Sequence, residues 1–135
     1  GQLSFQLYKS QYIPFIKDLA ETFPNQLGYY CRGKSKTEIE LLFPFPFAGL
    51  GIDHQIDINN FLSNYDNGFI QGNFDETKML MDKDSLSKEI HAYCDHIESS
   101  NTTTGWICGL GHGINKKTPE ENVHLFIDII RKRFQ

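Results

Sequence analysis

The sequence predicts an α/β fold in which about four short parallel strands alternate with helices. Four apolar runs follow an N-terminal helical segment, and a helical or polar segment comes after each run. Alternation of this kind is typical of parallel strands connected by helices. The 135 residues suit a single domain, 1–135, and 39% hydrophobic against 22% charged residues indicates a folded chain.

The chain opens with a predicted helix over residues 5–23, which Pro14 should kink because proline lacks a backbone donor. Helical spacing predicts its buried face at Phe15, Ile16, Leu19 and Phe23. The first strand is expected at 27–31. Ser35 and Glu38 then match a capping box, which predicts a short helix after this strand.

An aromatic and proline-rich loop, 43–47, cannot continue this short helix, and it is predicted to pack rather than to form an exposed contact. The second strand is expected at 48–52 and a short helix at 57–65. The third strand is expected at 69–71. The chain between these elements is polar, which is typical of loops at a protein surface.

Two longer helices flank the fourth strand, which is predicted at 106–110. Asp84 or Ser85 should cap the first of these helices. The second should have Thr118 as N-cap and Pro119 at its first position. Its buried stripe is predicted at Val123, Phe126, Ile127 and Ile130.

Charge, apolar length and cysteine usage argue against several classes of function. A formal net charge of −4 argues against a nucleic-acid partner. The longest apolar stretch, 41–50, is broken by prolines and cannot span a membrane. Cys31, Cys94 and Cys108 are odd in number and lack CxxC spacing, which indicates reduced thiols in a cytoplasmic protein.

Polar residues follow all four predicted strands. They are Arg32, Asp53 with His54, Asn73 with Asp75, and His112. Functional groups of β/α barrels lie where parallel strands end, so one shared site is expected. His112 is the strongest candidate, because the glycines on both sides leave the backbone free to approach a ligand.

The other strand-end residues also have structural interpretations. Arg32 is expected to be a surface arginine, and the alternative is that it holds a substrate carboxylate. Asp53 is expected to brace its loop, whereas Asn73 and Asp75 should fix the following turn and cap its helix. Three further histidines fall on predicted helices and should be solvated: His91, His96 and His124.

Five segments carry a resemblance to one protein family. They are YIPFIK at 12–17, YYCRG at 29–33, GIDH at 51–54, QGNFD at 71–75, and 109–123 with its GHGI and TPEENV blocks. In the same order they resemble motifs of the uroporphyrinogen decarboxylases. Those motifs include Gly-Leu-Asp-Trp, so His54 stands in place of a tryptophan, and Gln-Gly-Asn-Leu-Asp-Pro.

The resemblance implies the C-terminal half of a (β/α)8 TIM-type barrel, in a cytoplasmic homodimer of heme biosynthesis. It implies a carboxy-lyase that converts uroporphyrinogen III to coproporphyrinogen III without cofactor or metal, the protonated pyrrole serving as electron sink. His112 matches the family's pocket histidine and is expected to bind a substrate carboxylate. No catalytic residue is expected in this fragment, since the family's arginine-rich motif and catalytic aspartate have no counterpart here.

Two other functions stay open from the sequence. A corrinoid or thiol methyltransferase of the same superfamily is expected to have a zinc-binding His-x-Cys and a cysteine in the final glycine loop, where this chain has His112. A non-catalytic binding or assembly module would have no affinity for porphyrins. No metal is expected, because Cys108 and His112 lie on a strand and its loop with no third ligand evident.

Half of a barrel has two open strand edges and an uncovered inner face. The inner side chains are predicted to include Tyr29, Ile52, Ile70 and Ile107. Self-association through the edges or the family's dimer face is therefore expected. The alternative is a monomer in which the first helix folds over the open side.

Overall fold

The computed structural model describes residues 3–100 and 102–135, and it confirms the predicted α/β fold. Within these residues, four parallel strands form one sheet in the order β1-β2-β3-β4. The strands are β1 (Gly28–Tyr30), β2 (Gly49–Gly51), β3 (Phe69–Gln71) and β4 (Trp106–Ile107). The helices are α1 (Phe5–Leu7), α2 (Ile13–Thr22), α3 (Lys36–Glu40), α4 (Asn59–Leu62), α5 (Lys83–Glu98) and α6 (Glu120–Phe134). This sequential parallel order is that of neighbouring strands in a β/α barrel.

The strand register divides the sheet into two faces. The row that faces the helical core consists of Tyr29, Leu50, Ile70 and Trp106. The opposite row, which we call the inner row, consists of Tyr30, Gly51, Gln71 and Ile107. Alternate residues of a strand point to opposite faces, so no side chain belongs to both rows.

The predicted set of inner side chains is wrong for three of its four members. Tyr29, Ile52 and Ile70 are buried in the helical core, each less than a tenth exposed. Ile107 is 43% exposed on the inner row, as predicted, and Tyr30, at the opposite end of this row, is 47% exposed. The open side of the sheet is therefore lined by fewer apolar side chains than the sequence suggested.

The first helical segment changes its winding where a proline approaches. A π-helical turn, Tyr8–Tyr12, joins α1 to α2, and the backbone N–H of Ile13 donates to the carbonyl of Tyr8. Pro14 is the second residue of α2 and lies just after this turn. The structure therefore has a wider turn just before the proline at which a kink was predicted.

The buried face of this segment differs from the prediction. Ile16 is buried as predicted, together with Ala20, but Phe15 is 62% exposed, and Leu19 and Phe23 are also exposed. All four predicted residues lie after the wider turn, so it does not explain the difference. The stripe of residues 15, 19 and 23 is displaced by one position, about 100°, from Ile16 and Ala20, which face the core. Ile16 and Ala20 belong to the same core as the strand row that faces the helices. Helix α2 therefore does not cover the inner row.

Two local predictions between the first strands are confirmed. Ser35 and Glu38 form a capping box at the start of α3, with both reciprocal hydrogen bonds present. The aromatic loop packs into the core, because Phe45 and Phe47 are 8% and 2% exposed. The Phe43 ring meets the Phe61 ring edge-on and the Tyr65 ring at a tilt, at 5.7 and 5.2 Å between ring centroids.

The caps of the two long helices differ from the predictions. Asp82, rather than Asp84 or Ser85, is the N-cap of α5, and its carboxylate accepts hydrogen bonds from the backbone of both those residues. At α6 the N-cap is Pro119, in extended conformation, and the predicted cap, Thr118, has a buried hydroxyl without a partner in the described chain. The helix therefore begins one residue later than the sequence pattern indicated.

Helices α5 and α6 pack against each other over a second core. Phe126 is buried there as predicted, and Val123 and Ile130 are partly buried, but Ile127 is 37% exposed. Near the C-terminal ends of the two helices, Arg133 of α6 donates to the carboxylates of Asp95 and Glu98 of α5. Neither helix, nor any other in the described ranges, is long and apolar enough to cross a membrane.

Candidate functional site

The carboxyl ends of the strands surround a cleft of about 360 Å³. Three inner-row residues, Tyr30, Gly51 and Gln71, line it together with Leu110 and His112 of the last loop. The cleft thus has the position at which β/α barrels place their active sites. Of the sequence-predicted candidates, the structure brings His112 into this cleft.

The His112 loop is fixed through the glycine that precedes it. The backbone N–H of Gly111 donates to the carbonyl of Phe74 at 2.7 Å, and the carbonyl of Gly111 accepts from the Tyr30 hydroxyl at 2.8 Å. Burial raises the pKa of Tyr30, and nearby Asp53 adds to the effect, so this hydroxyl stays protonated and remains a donor. The His112 side chain is exposed toward solvent, where it is free to meet a ligand.

Asp53 braces the loops of two neighbouring strands, as the sequence analysis expected. Its carboxylate is 99% buried, and it accepts from the backbone N–H of Gly33 at 2.5 Å and of Gln55 at 3.0 Å. These bonds connect the loop after β1 to the loop after β2. Both carboxylate oxygens of Asp53 therefore serve to hold these two loops together.

Asn73 has a similar role at the end of β3. Its buried side-chain amide donates to the carbonyls of Asp53 and Ile56 at 2.8 and 2.6 Å, and its backbone N–H donates to the Tyr93 hydroxyl at 2.7 Å. Asp75 caps the 3₁₀-helix that follows, because its carboxylate accepts from the backbone N–H of Thr77. The predicted cap at Asp75 is thus confirmed, whereas the side chain of Asn73 holds the loop after β2 rather than the turn that follows it.

The carboxylate of Glu76, which the sequence pattern did not indicate as a site residue, lies beside these loops. Glu76 is 6% exposed, and its carboxylate contacts the His54 ring nitrogen Nδ1 at 3.1 Å and the Arg32 guanidinium at 3.6 Å. Arg32 itself is half-exposed, and Asp75 lies 3.9 Å from His54 Nδ1. Strand-end position alone could have suggested Glu76, since it directly follows Asp75, but its burial depends on contacts across three loops.

The remaining candidates from the sequence are placed elsewhere. The three helical histidines are exposed as expected: His91, His96 and His124. Burial raises the pKa of the Cys108 thiol to about 12, and it raises that of Cys94 as well. Cys108 is therefore protonated at neutral pH in the metal-free chain.

The matches to known proteins agree on one family. A family model described as uroporphyrinogen decarboxylase (URO-D) matches residues 1–133. A uroporphyrinogen decarboxylase of Hydrogenobaculum sp. is 26% identical over 134 residues, covering 98% of this chain and 38% of the relative. That of Desulfotalea psychrophila is 27% identical over 128 residues, covering 95% and 37%. That of Trichodesmium erythraeum is 30% identical over 135 residues, covering 93% and 36%. The chain thus spans little more than a third of the length of these relatives.

Proposed function

This chain belongs to the uroporphyrinogen decarboxylase family, and from that premise we propose that it is the C-terminal part of an enzyme that converts uroporphyrinogen III to coproporphyrinogen III. The observation that carries the proposal is the position of His112, exposed in the cleft where the strands end. The enzyme would be a carboxy-lyase of porphyrin and heme biosynthesis. Its reaction would take place in the cytoplasm, in keeping with the free thiols of the chain.

The proposed chemistry assigns a binding role, rather than a catalytic role, to the described residues. The substrate carries carboxylates on its acetate and propionate side chains, and a protonated His112 would donate a hydrogen bond to one of them. When carbon dioxide leaves, the electron pair of the broken bond would pass into the protonated pyrrole ring and leave an exocyclic methylene group. This group would take up a proton to become the methyl group, and the ring would give up its added proton, so the reaction as proposed needs no cofactor. The catalytic groups would then lie in a part of the enzyme outside this chain, which spans 38% of the Hydrogenobaculum relative.

Replacing His112 by alanine should weaken binding of uroporphyrinogen about tenfold or more. A hydrogen bond to a charged group contributes about 1.5–3 kcal/mol, which corresponds to a factor of ten to a hundred in affinity. Equilibrium dialysis under anaerobic conditions measures this binding. The same samples should show no loss of substrate carboxylates above a buffer blank, because this chain would lack most of the catalytic groups.

His124→Ala provides the matched control, since His124 is an exposed histidine on α6 and lies outside the cleft. It should leave the affinity unchanged. Equal affinity of the His112→Ala and unsubstituted chains would refute the binding role. Absence of any affinity, even when the missing part of the barrel is supplied, would favour a non-catalytic assembly module, and measurable decarboxylation by the chain alone would refute the proposed division of roles.

We expect the chain to self-associate, as a homodimer or a larger species. In the described structure β1 and β4 each pair on one side only, and the inner row exposes Tyr30 and Ile107. Unpaired strand edges and exposed apolar side chains favour association. Ile107→Glu should shift the sedimentation coefficient at micromolar concentration toward the monomer. Ile127→Glu, an exposed isoleucine on α6, is the control and should not. A monomer at all concentrations would contradict this expectation.

A further inference from the structure

The loops after β2 and β3 bring together three side chains that can bind a metal ion. His54, Asp75 and Glu76 each offer one ligand atom, and these atoms lie within 4.8 Å of one another. His54 Nδ1 is 3.1 Å from the nearer Glu76 oxygen and 3.9 Å from Asp75. Two ligands about 2.1 Å from one tetrahedral ion are about 3.4 Å apart, so small adjustments would suffice.

The nearly buried carboxylate of Glu76 has one hydrogen-bond partner and a loosely held cationic partner. Its one hydrogen bond among residues 3–100 and 102–135 is the contact with His54. A carboxylate that is nine-tenths buried ordinarily needs several donors or a close counter-charge. Arg32 supplies a charge at 3.6 Å, beyond hydrogen-bonding distance, and its side chain is half-exposed and able to turn into solvent.

The two acidic residues differ in how they are held. Thr77 fixes Asp75 through its backbone N–H at 2.9 Å and its hydroxyl at 2.7 Å. Both bonds end on Asp75 Oδ1, the oxygen that lies 3.9 Å from His54 Nδ1, and they hold this oxygen in place beside the imidazole. Glu76 stands where the family motif quoted above has proline, and His54 where it has tryptophan. Their contact is therefore not a feature of those motifs.

We propose that His54, Asp75 and Glu76 form a binding site for one divalent transition-metal ion, beside the cleft that contains His112. One imidazole nitrogen and two carboxylates suit Zn²⁺. The sequence had indicated no metal, because the candidates considered there were Cys108 and His112, whereas these three ligands are adjacent through tertiary structure. The ion would join the loops of β2 and β3, and Arg32 would compete with it for Glu76.

Isothermal titration of Zn²⁺ into the chelator-treated chain tests the proposal. We expect about one ion per chain, an affinity at least tenfold lower for Glu76→Gln, and a higher affinity for Arg32→Gln. Two controls should bind as the unsubstituted chain does. Asp57→Asn removes a partner of an exposed His–Asp pair, and His112→Ala removes the cleft histidine. Circular dichroism establishes that each variant is folded.

X-ray absorption of the zinc-loaded chain provides a second readout, in which we expect nitrogen and oxygen ligands without sulfur. No binding at micromolar zinc, or equal affinity in folded Glu76→Gln, would overturn the proposal. Sulfur ligation or loss of binding in His112→Ala would move the site to Cys108 and His112. The outcome does not depend on decarboxylase activity, so it is separable from the test of the proposed function.

Discussion

Replacement of Gly111 by alanine is expected to lower the free energy of unfolding by about 1–3 kcal/mol and to displace the His112 loop. A Cβ atom at position 111 would lie 2.5 Å from the backbone nitrogen of His54, which is closer than two such atoms can approach. The clash is with backbone, so a change of rotamer cannot relieve it. Either the last loop or the loop after β2 must move, and porphyrinogen binding should weaken with it.

The adjacent Gly113 provides a matched control for this variant. A Cβ atom there would have no neighbour within 4 Å, so Gly113→Ala should leave stability unchanged or slightly raise it. Thermal unfolding and equilibrium dialysis with uroporphyrinogen measure both variants. If Gly111→Ala keeps the unsubstituted stability and affinity, the close approach of the two loops does not determine the position of His112.

Conversion of Asn73 to aspartate should be more damaging, with a loss of about 3–5 kcal/mol of unfolding free energy. The side-chain amide of Asn73 donates to two carbonyls, those of Asp53 and Ile56. Aspartate has nearly the same shape but would turn an acceptor toward both carbonyls and bury a charge. Urea denaturation monitored by circular dichroism gives the free energy directly.

Asn64→Asp is the control for this change. Asn64 is exposed and donates one hydrogen bond, to the carbonyl of Asn60 at 2.8 Å. Water can satisfy that carbonyl, so the expected effect is below about 1 kcal/mol. A stability for Asn73→Asp within error of the Asn64→Asp value would show that the buried amide bonds add little.

Those features of the fold that depend on local sequence could be predicted. β3 has its predicted limits, and the capping box of Ser35 and Glu38 forms as expected. The face of β1 could not be predicted, because Gly28, Tyr29 and Tyr30 offer no alternation of apolar and polar residues. Only the packing of helices on one side decides that Tyr29 is buried and Tyr30 exposed.

The candidate site could be predicted to a similar extent. His112 was evident from its flanking glycines, which is a local pattern. The contact of Glu76 with Arg32 and His54 joins residues up to 44 positions apart in sequence, and no local pattern reports such a contact. In the first helix, residues 15, 19 and 23 form an apolar stripe next to Ile16 and Ala20, and only the packing of the helix decides which stripe is buried.

The hydrogen bonds of Asp53 and Asn73 have an evolutionary consequence. Both side chains hold their neighbours by main-chain atoms, the N–H groups of Gly33 and Gln55 and the carbonyls of Asp53 and Ile56. Neighbouring side chains that take no part in these bonds can therefore be exchanged without loosening the loops. Arg32 and His54 occupy such positions, where new chemistry can be acquired by single substitutions on an unchanged framework.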